Sequence, residues 1–210
     1  MSKIIAIMLL LCCGMMLFGC ADDNGRRKAE QQKTIVVTDS VGRKVELPYP
    51  LERVAVCNVY NAELITAVGA IDKIVGVDNY IFKDQSGFKN RFNEAQVFGI
   101  SQNAMNYEKL AELAPQAVII TGEGTWRDAQ EMLDRFGIKV IVINSYYTDQ
   151  FADNCRLIGR IFGREEQAEE LVNYFNDKLA YIQKQLQGVP RRSLYFEYRT
   201  LGKTAAVSYT

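Results

Sequence analysis

Residues Pro48–Asp78 read PYPLERVAVCNVYNAELITAVGAIDKIVGVD, and the rest of the chain is organised around them. Val54, Ala55, Val56 and Cys57 make a short apolar run without alternation, the pattern of a strand buried on both faces of a parallel sheet. Asn58 ends the run. From Tyr60 to Val68 the apolar positions Leu64, Ile65 and Val68 fall at helical spacing, and Gly69 follows as a C-terminal cap. Ile74–Val77 supplies a second strand. In open parallel sheets small ligands bind beyond the carboxyl ends of strands, so Asn58, Val59, Tyr60 and Asn61 stand where a ligand would be held.

Before this unit, Thr34–Asp39 and Lys44–Leu47 read as strands of a small hairpin turning at Gly42, and Pro48 and Pro50 keep the chain extended. After it, Asn79–Asn93 shows no sustained period and reads as a long surface connection carrying Tyr80, Phe82, Phe88, Arg91 and Phe92. Gln96–Gly99 reads as a short strand or edge. Asn106 is placed to cap a helix carrying Leu110 and Leu113, with Glu108 in its first turn, where the helix dipole favours a carboxylate. Ala117–Thr121 and Lys139–Ile143 are two more apolar strands. Between them Thr125-x-x-Asp128 resembles a capping box opening a helix that runs to Phe136. Gly122 and Gly124 lack both the third glycine of a dinucleotide fingerprint and the lysine of a P-loop.

Three strand ends thus carry polar and aromatic groups: Asn58–Asn61, Gly122–Trp126 and Asn144–Tyr147. A doubly wound sheet would put them on one rim. The expected ligand contacts are Asn58, Tyr60, Tyr80, Trp126, Arg127, Tyr146 and Tyr147. A helix over Asp149–Phe162 and a longer one over Arg164–Gln187 follow. The longer helix has Ala168, Leu171, Val172, Phe175, Leu179, Ile182 and Leu186 at helical period and is expected to pack along its own domain. Ser193–Tyr198 and Thr204–Tyr209 read as a closing pair of strands.

Composition narrows the function. Of 210 residues 48% are hydrophobic and 24% charged, enough for a sizeable core in one large domain or two small ones. Lys plus Arg equals Asp plus Glu at 25 each, so no basic excess argues for nucleic acid. There is no histidine, which removes the commonest general base and most zinc sites. Of five cysteines, Cys12 and Cys13 fall in an uncharged run from Ile4 to Phe18 that has the dimensions of a signal-peptide core. Leu17-Phe18-Gly19-Cys20 resembles a lipobox, making Cys20 the expected lipidation site, with cleavage by the ordinary signal peptidase as the alternative. The polar stretch that follows suits a tether. Cys57 and Cys155 read as small core residues.

Five segments in order, TDSVGRKVELPYPLERVAV, AELITAVGAIDKIVGVD, NYEKLAELAPQAVI, FGIKVIVI and IGRIFGREEQAEEL, resemble the substrate-binding proteins of ATP-driven importers, in the family that carries iron-siderophores, haem and cobalamin. That resemblance implies the class III periplasmic-binding-protein fold: two α/β lobes joined by one long helix, with the ligand in the cleft between them. It assigns residues 1–20 to a lipoprotein signal peptide, 21–33 to a flexible tether and 34–148 to a Rossmann-like amino-terminal lobe. Residues 149–188 become a helical connection, and 189–210 the start of a carboxyl-terminal lobe that is expected to be largely missing, as a fragment or a truncation. Glu108 matches the surface glutamate through which such proteins dock on their permease. The implied role is capture of a metal chelate outside the cytoplasm and delivery to an ABC permease. The protein would be a lipid-anchored or periplasmic monomer with no resident cofactor, metal or catalytic residue. The competing readings are an exported α/β enzyme, for which no base, metal set or cofactor loop is recognisable, and a surface interaction protein without transport.

Overall fold

The computed structural model describes residues 33–84 and 86–190 with their side chains, and residues 194–200 and 203–209 as backbone. The leader, most of the tether and the proposed lipid site Cys20 lie outside the described residues.

Strand β1 (Thr34–Thr38) pairs antiparallel with β2 (Lys44–Pro48). The core is a four-stranded parallel sheet of β3 (Val54–Val56), β4 (Ile74–Val77), β5 (Ala117–Ile120) and β6 (Lys139–Val142), in the order β4-β3-β5-β6. Helix α1 (Val59–Ala67) joins β3 to β4. The short α2 (Asn79–Lys83) and then α3 (Tyr107–Leu113) carry the chain from β4 to β5, and α4 (Trp126–Asp134) joins β5 to β6. The chain leaves β3 toward one edge of the sheet and β5 toward the other. The strand order therefore reverses between β3 and β5, the position at which such sheets open a crevice.

Alternation along each strand explains why the apolar runs are continuous. Val54 and Val56 face one side with Ile119 and Ile141, packing on α1 and on α5 (Phe151–Phe162) and α6 (Glu165–Gln185) through Ile65, Ile158, Ile161 and Val172. Ala55 and Cys57 face the other side with Val118, Ile120 and Val142, packing on α3 and α4 through Leu110, Ala129 and Leu133. Both faces are covered, so every position on a central strand is apolar.

Gly163 ends α5 at φ 64°, a left-handed conformation that glycine adopts at no steric cost. Helices α5 and α6 meet at Gly159, where an added Cβ would collide with the Ala168 Cβ and lie 2.9 Å from the Arg164 carbonyl oxygen. Phe151 stacks on Phe175 at 4.2 Å. Strands β7 (Leu194–Thr200) and β8 (Lys203–Tyr209) pair antiparallel from Leu194–Tyr209 to Thr200–Lys203.

Four expectations are corrected. Asn79–Asn93 is not wholly a surface connection: Asp78 caps α2 by accepting from the Ile81 N–H at 2.9 Å, and Phe88 is buried. Gln96–Gly99 does not form a regular strand: Gln96 closes the 3-10 turn Glu94–Gln96, and only single bridges, Val77–Val97 and Gly99–Met105, follow. Thr125 makes no capping bond to α4; its hydroxyl donates to the Gln102 carbonyl at 3.1 Å instead. The long helix packs on its own lobe only through its first half: Ala168 and Val172 are buried, whereas Leu179, Ile182 and Leu186 are 39%, 50% and 57% exposed.

Candidate functional site

The site is built where β3 and β4 end. Asn58 leaves β3 with φ 78° and ψ 126°, a conformation that costs a non-glycine residue about 1–3 kcal/mol. Two bonds hold it there. Its N–H donates to Asp78 Oδ2 at 3.0 Å, and its own Oδ1 accepts from the Tyr60 N–H at 2.9 Å, capping α1. Asp78 is 2% exposed, and burial raises its carboxyl above the ordinary carboxylate value although the N–H groups of Ile81 and Asn58 pull it down. One carboxylate thus fixes the ends of two strands.

Across the reversal point, Gln102 does the same for β5. Its Oε1 accepts from the Thr121 N–H at 2.9 Å and from the Thr121 hydroxyl at 2.8 Å, and its Nε2 donates to the Glu123 carbonyl. Between the two stitched edges lies a cleft of about 950 Å³. Asn58, Tyr60 and Tyr80 line it, together with Asp78, Gln102 and Glu123. Tyr60 and Tyr80 are 54% and 63% exposed, so their rings present open faces.

The end of β6 is tied to the same edge. Asn144 Oδ1 accepts from the Gly122 N–H at 2.7 Å, and the Tyr146 hydroxyl donates to Glu123 Oε1 at 2.9 Å. Tyr146 and Tyr147 lie ring to ring at 4.3 Å, and burial, helped by Tyr147 and Glu123, pushes the Tyr146 phenol up. Asn61, expected among the ligand-facing groups, is fully buried and is corrected: its Nδ2 donates to the Cys57 carbonyl, and its Oδ1 accepts from the Ser145 hydroxyl at 2.6 Å. It joins α1 to the end of β6.

Trp126 and Arg127 are not brought to the cleft. With Gln130, Glu131 and Asp134 they line a separate, shallow depression along α4. The Trp126 ring lies between two guanidiniums, Arg43 at 4.3 Å and Arg127 at 4.1 Å, and packs against the second core face. Arg43 is anchored from behind. It pairs with Asp39 at 2.6 Å and donates to the Val140 carbonyl at 3.1 Å and to Gln130. Asp39 is 5% exposed and also accepts from the Val41, Arg43 and Val142 N–H groups, so it fastens the hairpin turn to β6.

Glu108 is exposed in the first turn of α3, whose amino end lies at the carboxyl edge of the sheet because the helix runs back toward the start of β5. Cys57 and Cys155 are free and buried. Burial and the nearby Asp78 raise the Cys57 thiol well above its ordinary value, and burial pushes Cys155 to about 11, so neither is a ready nucleophile. Among the described residues no group of three acidic or cysteine side chains is placed to hold a metal ion.

Sequence reasoning missed Asp78 and Gln102 and reached Glu123 only as part of the rim stretch Gly122–Trp126. Asp78 carried a signal, an acidic residue directly after a buried strand. Gln102 carried none, because its role depends on a loop folding back over β5.

The sequence profile described as "Periplasmic binding protein" matches residues 54–206. Among solved structures, a periplasmic solute binding protein from Veillonella parvula DSM 2008 is similar at 28% identity and TM-score 0.60, covering 75% of this chain and 50% of that one. The petrobactin-binding protein YclQ from Bacillus subtilis is similar at 17% identity and TM-score 0.70, over 83% and 60%. The periplasmic vitamin B12 binding protein BtuF of Vibrio cholerae is similar at 21% identity and TM-score 0.53, over 66% and 52%. The chain therefore spans less than two thirds of each of these proteins. No curated protein matches it by sequence.

Proposed function

The chain belongs to the periplasmic binding protein family, with an α/β lobe of its class III fold, and from that premise we propose that it is the extracytoplasmic substrate-binding component of an ABC importer for a metal chelate. The supporting observation is the cleft at the strand-order reversal, an open crevice with polar walls and two exposed tyrosine rings. Capture there needs no chemistry. A flat or rounded chelate settles against aromatic faces while Asn58 and Gln102 meet its polar edges.

Asn58, Tyr60 and Tyr80 are the direct contacts in this reading; Tyr146, bonded to the cleft residue Glu123, and Tyr147 against it do not line the cleft and reach a ligand only at its rim. Trp126 and Arg127 belong to the same edge and reach only a ligand that extends over α4. Glu108 docks on the permease through a charge-assisted pair with arginine. Cys20 carries the lipid that keeps the monomeric carrier at the membrane; no helix among the described residues is long and apolar enough to cross one.

Equilibrium dialysis of the chain against ferric siderophores, haemin and cobalamin tests the reading. Saturable one-to-one binding of one class is expected. Silence toward the whole panel would overturn it.

A further inference from the structure

We infer that the cleft selects a chelate of net positive charge. The inference rests on the carrier reading of this cleft and concerns what it admits. Its wall carries four carboxyl groups, Glu63, Asp78, Asp84 and Glu123, against the one ammonium of Lys83. Among the described residues none of Glu63, Asp84 and Glu123 forms an ion pair, so their charge is not cancelled locally. The Ser86 hydroxyl and the Ser86 and Gly87 N–H groups donate to Asp84 at 2.6, 3.0 and 3.2 Å and hold its carboxyl below the ordinary value.

The aromatic lining is a second, independent observation pointing the same way. Tyr60 and Tyr80 stand more than half exposed on the cleft, and the faces of their rings are negative ends of quadrupoles that attract cations. Carboxylates and open tyrosine faces together form a surface suited to an ammonium or a cationic complex. An anionic chelate would meet uncancelled like charge, and a concave wall concentrates that field.

The test uses three forms of one linear ferric trihydroxamate: terminal amine free and protonated, acetylated and neutral, or succinylated and anionic. Size and iron coordination stay constant while charge changes. The account predicts that affinity falls in that order, with about tenfold between the ends at low ionic strength. Added salt and the variants Glu63→Gln and Glu123→Gln should each narrow the spread. Equal or tighter binding of the succinylated form, or a spread indifferent to salt and to both variants, overturns the inference. So does binding of haemin or ferric citrate with the trihydroxamates silent, an outcome that leaves the carrier reading standing. Silence toward every chelate counts against the carrier reading itself, and against this inference with it.

Discussion

At the scale of single residues, buried carboxylates hold this lobe in shape. Asp39 accepts from Arg43, Val41 and Val142, and its side chain is fully covered. Removing it leaves the Arg43 guanidinium without its counter-charge and several N–H groups unmatched, so Asp39→Ala should destabilise the lobe by about 3–5 kcal/mol in urea unfolding. Asp78 behaves differently because burial outweighs its hydrogen bonds and raises its pKa above 3.8. The folded chain then holds that proton more tightly than the unfolded chain. The stabilisation is fully present below 3.8 and is lost as the pH rises through the raised value. Relative to Asp78→Asn, the parent should therefore gain stability on acidification across that window. A parent that loses stability there would show that the Ile81 and Asn58 N–H groups outweigh burial. Asp78 carried a local signal as an acidic residue directly after a buried strand, but its bond to the Asn58 N–H and that of Asp39 to the Val142 N–H were not legible in the sequence, because only the tertiary fold brings that backbone near.

At the scale of elements, the parallel strands were legible because burial on both faces leaves only apolar residues to choose from. The runs at Val54, Ile74, Ala117 and Lys139 became the four strands of the sheet. Asn106 was legible as a cap and accepts from the Lys109 N–H at 2.9 Å, whereas Thr125 fits the same local pattern and is drawn away by Gln102. A cap is a local bond, and a loop folding over it from elsewhere can win the hydroxyl. The α5–α6 contact is closely packed, since Gly159 leaves no room for a side chain. Gly159→Val should cost at least about 2 kcal/mol by overpacking and lower the midpoint of thermal unfolding. An unchanged midpoint would mean that the two helices separate freely.

At the scale of the whole molecule, strand order decides where the proposed site sits. The reversal between β3 and β5 opens the cleft, and the amino end of α3 brings Glu108 to the same edge of the sheet. Glu108→Ala should leave chelate affinity unchanged and slow uptake by vesicles carrying the cognate permease; normal uptake would make Glu108 an ordinary surface acid. The rim was legible as a recurrence of aromatic and polar residues at three strand ends. Its division into a cleft with Tyr60 and Tyr80 and a separate Arg43–Trp126–Arg127 stack was not, because that depends on the hairpin turn packing on β6, which carries Arg43 to the Trp126 ring. The most direct measurement is the affinity of the Tyr60→Ala/Tyr80→Ala double variant for whichever chelate the parent binds, with unfolding followed in parallel. The account predicts a loss of about five- to 150-fold with stability unchanged, from about 0.5–1.5 kcal/mol for each of the two aromatic contacts removed. Unchanged affinity in a folded variant would contradict it and place the ligand away from the cleft between β3 and β5.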